Sequence, residues 1–178
     1  MASLVVRSVI MALKNTMLIR KLSEDATEDE VEQKVLVLSC RFMAAMQSAI
    51  SLFHIVTYAV AFDAHPRYNV AMICFTLLSF PLAALQLHAT FNLTDRRSVA
   101  YSQAYQVYFV IRMGVAVADW IYTLVSLRGE YDEHVLTVVF STLLVVLNVA
   151  VQVLNTLLVW RFVRLLRQLV ARAEGEEE

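Results

Sequence analysis

Twenty-six consecutive residues, Val135–Trp160, carry no charge. As a helix that run is about 39 Å long, more than the roughly 30 Å hydrocarbon core of a bilayer. Three further apolar blocks approach or exceed the same length: Phe42–Phe62, Val70–Phe91 and Tyr101–Leu127. A soluble helical bundle would show a charged face on every surface helix. Val70–Phe91 and Val135–Trp160 show no Asp, Glu, Lys or Arg at all. The chain is 59% hydrophobic, above the roughly 45–50% of soluble domains. These features predict an all-α protein, a four-helix transmembrane bundle with spans at about 42–62, 70–91, 101–127 and 135–160.

The basic residues give that bundle a direction. Arg7, Lys14, Arg20, Lys21, Lys34 and Arg41 precede the first block, Arg96 and Arg97 lie between the second and third, and Arg161, Arg164, Arg167 and Arg172 follow the fourth. Four crossings put these twelve on one side and only Arg67 and Arg128 on the other. Positive charge is retained on the inner side. Both termini are therefore expected on the cytoplasmic or matrix-equivalent side of an integral membrane protein. Cys40 and Cys74 fall at opposite depths, too far apart for a disulfide.

Residues 1–23 contain no acid, and Arg7, Lys14 and Lys21 recur every seven residues on one helical face. Apolar residues such as Leu4, Leu13 and Met17 surround them. This predicts a retained amphipathic helix lying in the membrane interface. The segment also resembles an organellar transit peptide, which makes the mitochondrial inner membrane one candidate location. An acidic run, Glu24–Glu32, follows. Thr27 and Glu30 fit a capping box, so a helix is expected to start near Glu28 and continue unbroken through the first block to about Phe62. The helix after Trp160 is expected to reach about Ala173 and to leave residues 174–178 as an acidic tail. The body of the protein is thus 28–173, with helices projecting on the inner side. Pro81, central in the second block, predicts a packing bend.

Within the third block, Arg112 and Asp119 lie seven residues apart. They share a helix face but are separated by about 10 Å along the axis, beyond the three- or four-residue reach of a helical salt bridge. Each therefore needs its own partner, and each is expected to face other helices because an ionised group near the bilayer centre costs at least about 2.5–3.5 kcal/mol. The first block offers Gln47, Ser51, His54 and Tyr58, and the fourth offers Asn148, Gln152 and Asn155, both at helical spacing. A polar intramembrane seam of Arg112, Asp119, His54, Gln47, Tyr58, Asn148, Gln152 and Asn155 is expected, with Tyr58 and Thr57 nearest Asp119. Block two, with Ser79 and Gln86, is expected to contribute less. Such a seam serves either as interhelical glue or as an ion path.

Two short segments resemble elements of known families. Asp119-Trp120-Ile121-Tyr122-Thr123 resembles the Asp-Trp-x-x-Thr element of microbial rhodopsins, which bind retinal through a membrane lysine. Here Lys14, Lys21 and Lys34 all precede the first block, so retinal is not implied. Arg161, Arg164 and Arg167 resemble the arginine helix of voltage-sensing domains. They follow a complete apolar span, and the first two blocks offer no acidic countercharge, so they read as anchors at the inner interface.

The four histidines are scattered over different depths, and no metal, cofactor or nucleic-acid site is expected. No nucleophile–base set or phosphate loop argues for an enzyme. The expected function is a non-catalytic accessory or scaffolding subunit of a larger membrane complex. The alternative is a small proton or ion channel or transporter that uses the seam. Expected partners are membrane lipids, other membrane protein subunits or a second copy of the chain. Arg161, Arg164, Arg167, Arg7, Lys14 and Lys21 are the expected contacts to partners or lipid headgroups.

Overall fold

The computed structural model describes residues 28–60, 66–126 and 131–176, and all the regular structure among them is α-helical. The helices are α1 (Glu28–Val60), α2 (Pro66–Leu77), α3 (Ser79–Phe91), α4 (Arg96–Ser126) and α5 (Tyr131–Glu176). The expected interfacial helix at 1–23 lies outside the described residues. α1 runs from Glu28 without interruption. α5 continues past Ala173 to Glu176, so most of the expected acidic tail is helical.

The second block forms two helices rather than one. Pro81 has no N–H for the carbonyl of Leu77, four residues upstream. The interruption accordingly falls at Leu78, one turn before the proline. There the Leu78 N–H donates to Phe75 O at 3.3 Å, and the Ser79 hydroxyl donates to Thr76 O at 2.7 Å. The chain then reverses within residues 92–95. Asp95 caps α4, its Oδ1 accepting the Arg97 N–H at 2.8 Å, which is the usual satisfaction of a first-turn donor. Asn92 O accepts the Ser98 hydroxyl at 2.7 Å and closes the turn.

α2 continues into α3 as one stretch, and α1 packs on both, α3 on α4, α4 on α5, and α5 back on α1. The result is an up-down-up-down bundle in which α1 and α4 occupy opposite corners. Side-chain pairs fix the antiparallel register. Gln47 meets Gln152, His88 meets Tyr101, and Trp120 meets Thr142.

Among the described residues, three stretches are long and apolar enough to cross a membrane: Glu30–Val60, Pro66–Phe91 and Val138–Gly175. α4 has 31 residues, but its sequence is broken by Arg112, Asp119 and a serine- and glutamine-containing first half, and it is not one of the three.

Burial follows two rules in the one bundle. Toward the end formed by the start of α1 and the end of α5, apolar side chains point inward. Val35, Leu36, Cys40 and Met43 pack with Leu158, Phe162 and Leu166, while Tyr105 and Phe109 of α4 pack with Val159 and Val163. Toward the other end the pattern inverts. Gln47, Ser51, Thr76, Ser79 and Arg112 are buried, whereas Leu52, Phe53, Leu77, Ile111, Phe140 and Leu147 are exposed.

Arg41 ties α1 to the end of α3. Its Nε donates to Thr90 Oγ1 at 3.0 Å and its Nη2 to Thr90 O at 2.9 Å. The guanidinium also lies 3.9 Å from the Phe91 ring centroid. Arg41→Ala is expected to lower stability by about 1–2 kcal/mol, measured as thermal unfolding in detergent. Arg41→Lys should recover only part, since an ammonium keeps the charge and loses the planar fork.

Candidate functional site

The polar seam is built around Arg112, whose residue is 6% exposed. Its side chain crosses the bundle diagonal from α4 to α1. Nη1 donates to Ser51 Oγ at 2.5 Å, and Nη2 is 2.9 Å from His54 Nδ1. A guanidinium has only donors, so His54 Nδ1 accepts and the imidazole is the neutral Nε2–H tautomer in this geometry. The Ser51 hydroxyl in turn donates to Gln47 O at 2.7 Å. Such back-bonding to the preceding turn lets a buried serine keep its proton satisfied while its lone pairs accept from elsewhere.

Asp119 lies nearly two turns further along α4 and has a different partner. Its Oδ1 accepts the Tyr68 hydroxyl at 2.5 Å. Tyr68 makes an edge contact with Tyr58, ring centroids 6.4 Å apart, and Tyr58 stacks on His54 at 6.4 Å. The two opposed charges of α4 are thus linked through α1 and α2 by an aromatic relay. Thr57, by contrast, is exposed and donates to Phe53 O on its own helix, so it stands outside the relay.

Toward the other end the seam continues through amides. Gln152 Nε2 donates to Gln47 Oε1 at 2.8 Å and lies 3.4 Å from Asn148 Oδ1. Asn155 is buried beside the Tyr105 hydroxyl. Asn148 also lines a cavity of about 20 Å³ with Arg112, His54, Tyr58 and Thr76, room for a single water. Beyond Asn155 the interior is the apolar packing of Cys40, Leu158, Phe162 and Leu166. The seam therefore ends blind on that side.

Block two contributes more than its apolar appearance suggests. Asn69, Thr76, Ser79, Ala83, Gln86, Ala89 and Thr90 are the buried residues of α2 and α3. Five of the seven are polar, and the alternating three- and four-residue spacing from Thr76 to Thr90 was the available signal. Gln86 and Ser102 are fully buried, and their side-chain polar atoms meet no hydrogen-bond partner. Tyr68, the partner of Asp119, carried no sequence signal beyond being an aromatic near a block end.

Compared with known proteins, the chain matches no family model, no curated protein and no solved structure.

The basic residues after the fourth block are distributed separately. Arg161 Nη1 is 3.5 Å from Glu32 Oε1, and Arg164 lies over the Trp160 ring at 4.9 Å. Arg167 is exposed. Arg7, Lys14 and Lys21 lie outside the described residues. Among the described residues no three His, Cys, Asp or Glu side chains cluster to hold a metal ion. Cys40 is buried and Cys74 exposed, both as free thiols.

Proposed function

We propose that this protein is a non-catalytic, four-pass integral membrane protein that serves as an accessory or scaffolding subunit of a larger membrane complex. The observation that carries the membrane reading is the inversion of burial in half the bundle: Arg112, Gln47 and Ser51 inside, Phe53, Phe140 and Leu147 outside. In water that arrangement exposes apolar surface and desolvates polar groups at once. In lipid it is the low-energy arrangement, because a buried polar face finds partners on neighbouring helices.

α4 is the fourth crossing in this reading. It packs antiparallel on α5, from the cluster of Tyr105 and Phe109 with Val159 and Val163 to the Trp120–Thr142 pair, and on α3 through Tyr101 and His88. Helices that accompany crossing neighbours over their full length cross with them. The twelve-to-two bias of basic residues favours both termini on the inner side. The accessory role is supported by seam side chains that engage one another across the bundle, and by the helices that project on the inner side.

Carbonate extraction tests the membrane reading: the chain is expected in the pellet, and recovery in the supernatant overturns it. Native mass measurement from gentle detergent tests the accessory role. A stoichiometric complex with unlike subunits is expected, and a lone species near 20.2 kDa overturns it.

One observation favours a second reading, a proton path. The Arg112–His54–Tyr58–Tyr68–Asp119 relay joins two ionisable groups through titratable rings. Against it stands the apolar closure beyond Asn155. Vesicles reconstituted with the pure protein are expected to be silent to a proton gradient. Flux that disappears in Asp119→Asn would replace the first reading with the second.

A further inference from the structure

The first turns of α1 and the last turns of α5 enclose a groove of about 410 Å³, within the roughly 300–1,000 Å³ range of small-molecule sites. Its polar lining is Glu32 and Gln33 from α1, and Arg161, Arg164, Gln168 and Arg172 from α5. Spacings of three and four place the α5 residues on one face of the helix. Leu36 and Leu169 supply apolar wall.

We propose that this groove binds the phosphorylated polyol headgroup of an anionic membrane lipid. The assignment rests on the membrane reading above. The cations fall into two groups. Arg161 and Arg164 are a turn apart, and Arg172 stands about 12 Å further along the helix axis from Arg164. A ring carrying well-separated phosphates engages both groups without drawing either arginine toward the other, and Arg is the side chain whose planar fork matches phosphate oxygens.

The remaining lining fits the ring itself. A purely anionic ligand would have no use for a carboxylate, yet Glu32 sits in the groove. Its ion pair with Arg161 at 3.5 Å orients both groups. Its carboxylate and the amides of Gln33 and Gln168 are hydrogen-bonding partners for hydroxyls. The same chemistry occurs in soluble inositol phosphates. A lipid source is favoured by the position of the site. The Arg161–Arg164 end adjoins Trp160, which is 49% exposed and lies under the Arg164 guanidinium. Exposed tryptophan at the end of an apolar span belongs to the headgroup level. The diester phosphate of a lipid then meets Arg161 and Arg164, and the ring phosphates extend away from the membrane to Arg172.

The test uses the purified full-length protein in neutral detergent and a fluorescent phosphatidylinositol bisphosphate. Binding is expected to fall roughly tenfold or more in the double variant Arg164→Ala/Arg172→Ala. Arg167, which its spacing groups with Arg161 and Arg164, is exposed and is not part of the groove lining, so Arg167→Ala is expected to change binding by less than about twofold. Arg172→Lys should fall between, because it retains charge without the fork. Its melting temperature, and that of the double variant, should stay at the wild-type value. If the double variant unfolds, Arg172→Lys alone decides. Equal loss in Arg167→Ala, equal affinity for phosphatidylserine, or an unchanged affinity in Arg172→Lys overturns the site. Soluble inositol trisphosphate binding as tightly as the lipid, through the same arginines, overturns the lipid source and leaves the carbonate result to judge the membrane reading independently.

Discussion

Phe162→Ala is expected to destabilise the protein by about 3–5 kcal/mol, while Leu147→Ala on the same helix changes stability by less than about 0.5 kcal/mol. The two residues lie on α5, and both are large and apolar. Phe162 is 0% exposed, enclosed by Val35, Leu36, Leu158 and Leu166. Truncating it removes buried contacts and leaves a cavity that the surrounding helices fill only in part. Leu147 is 60% exposed. In lipid or detergent its side chain touches acyl chains whether the protein is folded or not, so shortening it alters both states alike. Unfolding by heat or by a denaturing detergent, followed by circular dichroism, measures the difference. Comparable losses at the two sites would mean that Leu147 is packed against protein and that its end of the bundle is not bathed in lipid.

That contrast also explains what the sequence could and could not convey. The helical blocks were legible because an apolar run has the same composition whether it faces lipid or a protein core. For the same reason the sequence does not distinguish those two fates. Leu158 and Leu147 both lie in the uncharged run Val135–Trp160, yet one is 2% exposed and the other 60%. The distinction depends on which helix lies opposite, and that is settled only by packing.

The charges of α4 follow the same logic. Their spacing on a helix was enough to show that Arg112 and Asp119 need separate partners. The identity of those partners was less accessible. Ser51 and His54 meet Arg112 across the bundle diagonal, a relation between elements that are not neighbours in the sequence. Tyr68 meets Asp119 from α2, and an aromatic near a block end looks like an ordinary interface anchor. The break in the second block shows a different limit. Pro81 marks the cause, but its missing N–H acts on the carbonyl four residues upstream. The interruption at Leu78 is therefore displaced from the residue that announces it. The polar row of α2 and α3 had a signal in its spacing, diluted by the leucines and phenylalanines between its members.

A double-mutant cycle on Ser51 and Arg112 is the second large effect expected. Ser51→Ala removes an acceptor from a buried guanidinium, and hydrogen bonds to charged groups contribute roughly 1.5–3 kcal/mol each. The loss is expected at about 2–3 kcal/mol, because no water-filled space wide enough to solvate the charge adjoins it; the cavity beside Arg112 is only about 20 Å³. Arg112→Met should be far milder, within about 1 kcal/mol of wild type. It removes the charge that needed solvation, and a buried charge replaced by an apolar side chain of similar volume is often neutral or stabilising. Ser51 is not orphaned by this change, since its hydroxyl still donates to Gln47 O. His54 loses its donor but is only half-buried. The double variant should therefore resemble Arg112→Met alone, recovering most of the Ser51→Ala loss as a coupling between the two sites. The opposite order, with Arg112→Met more damaging than Ser51→Ala, would mean that the guanidinium is a net source of stability. The hydrogen bonds to Ser51 and His54 would then outweigh the cost of burying the charge, and the seam would be held together by its buried cation.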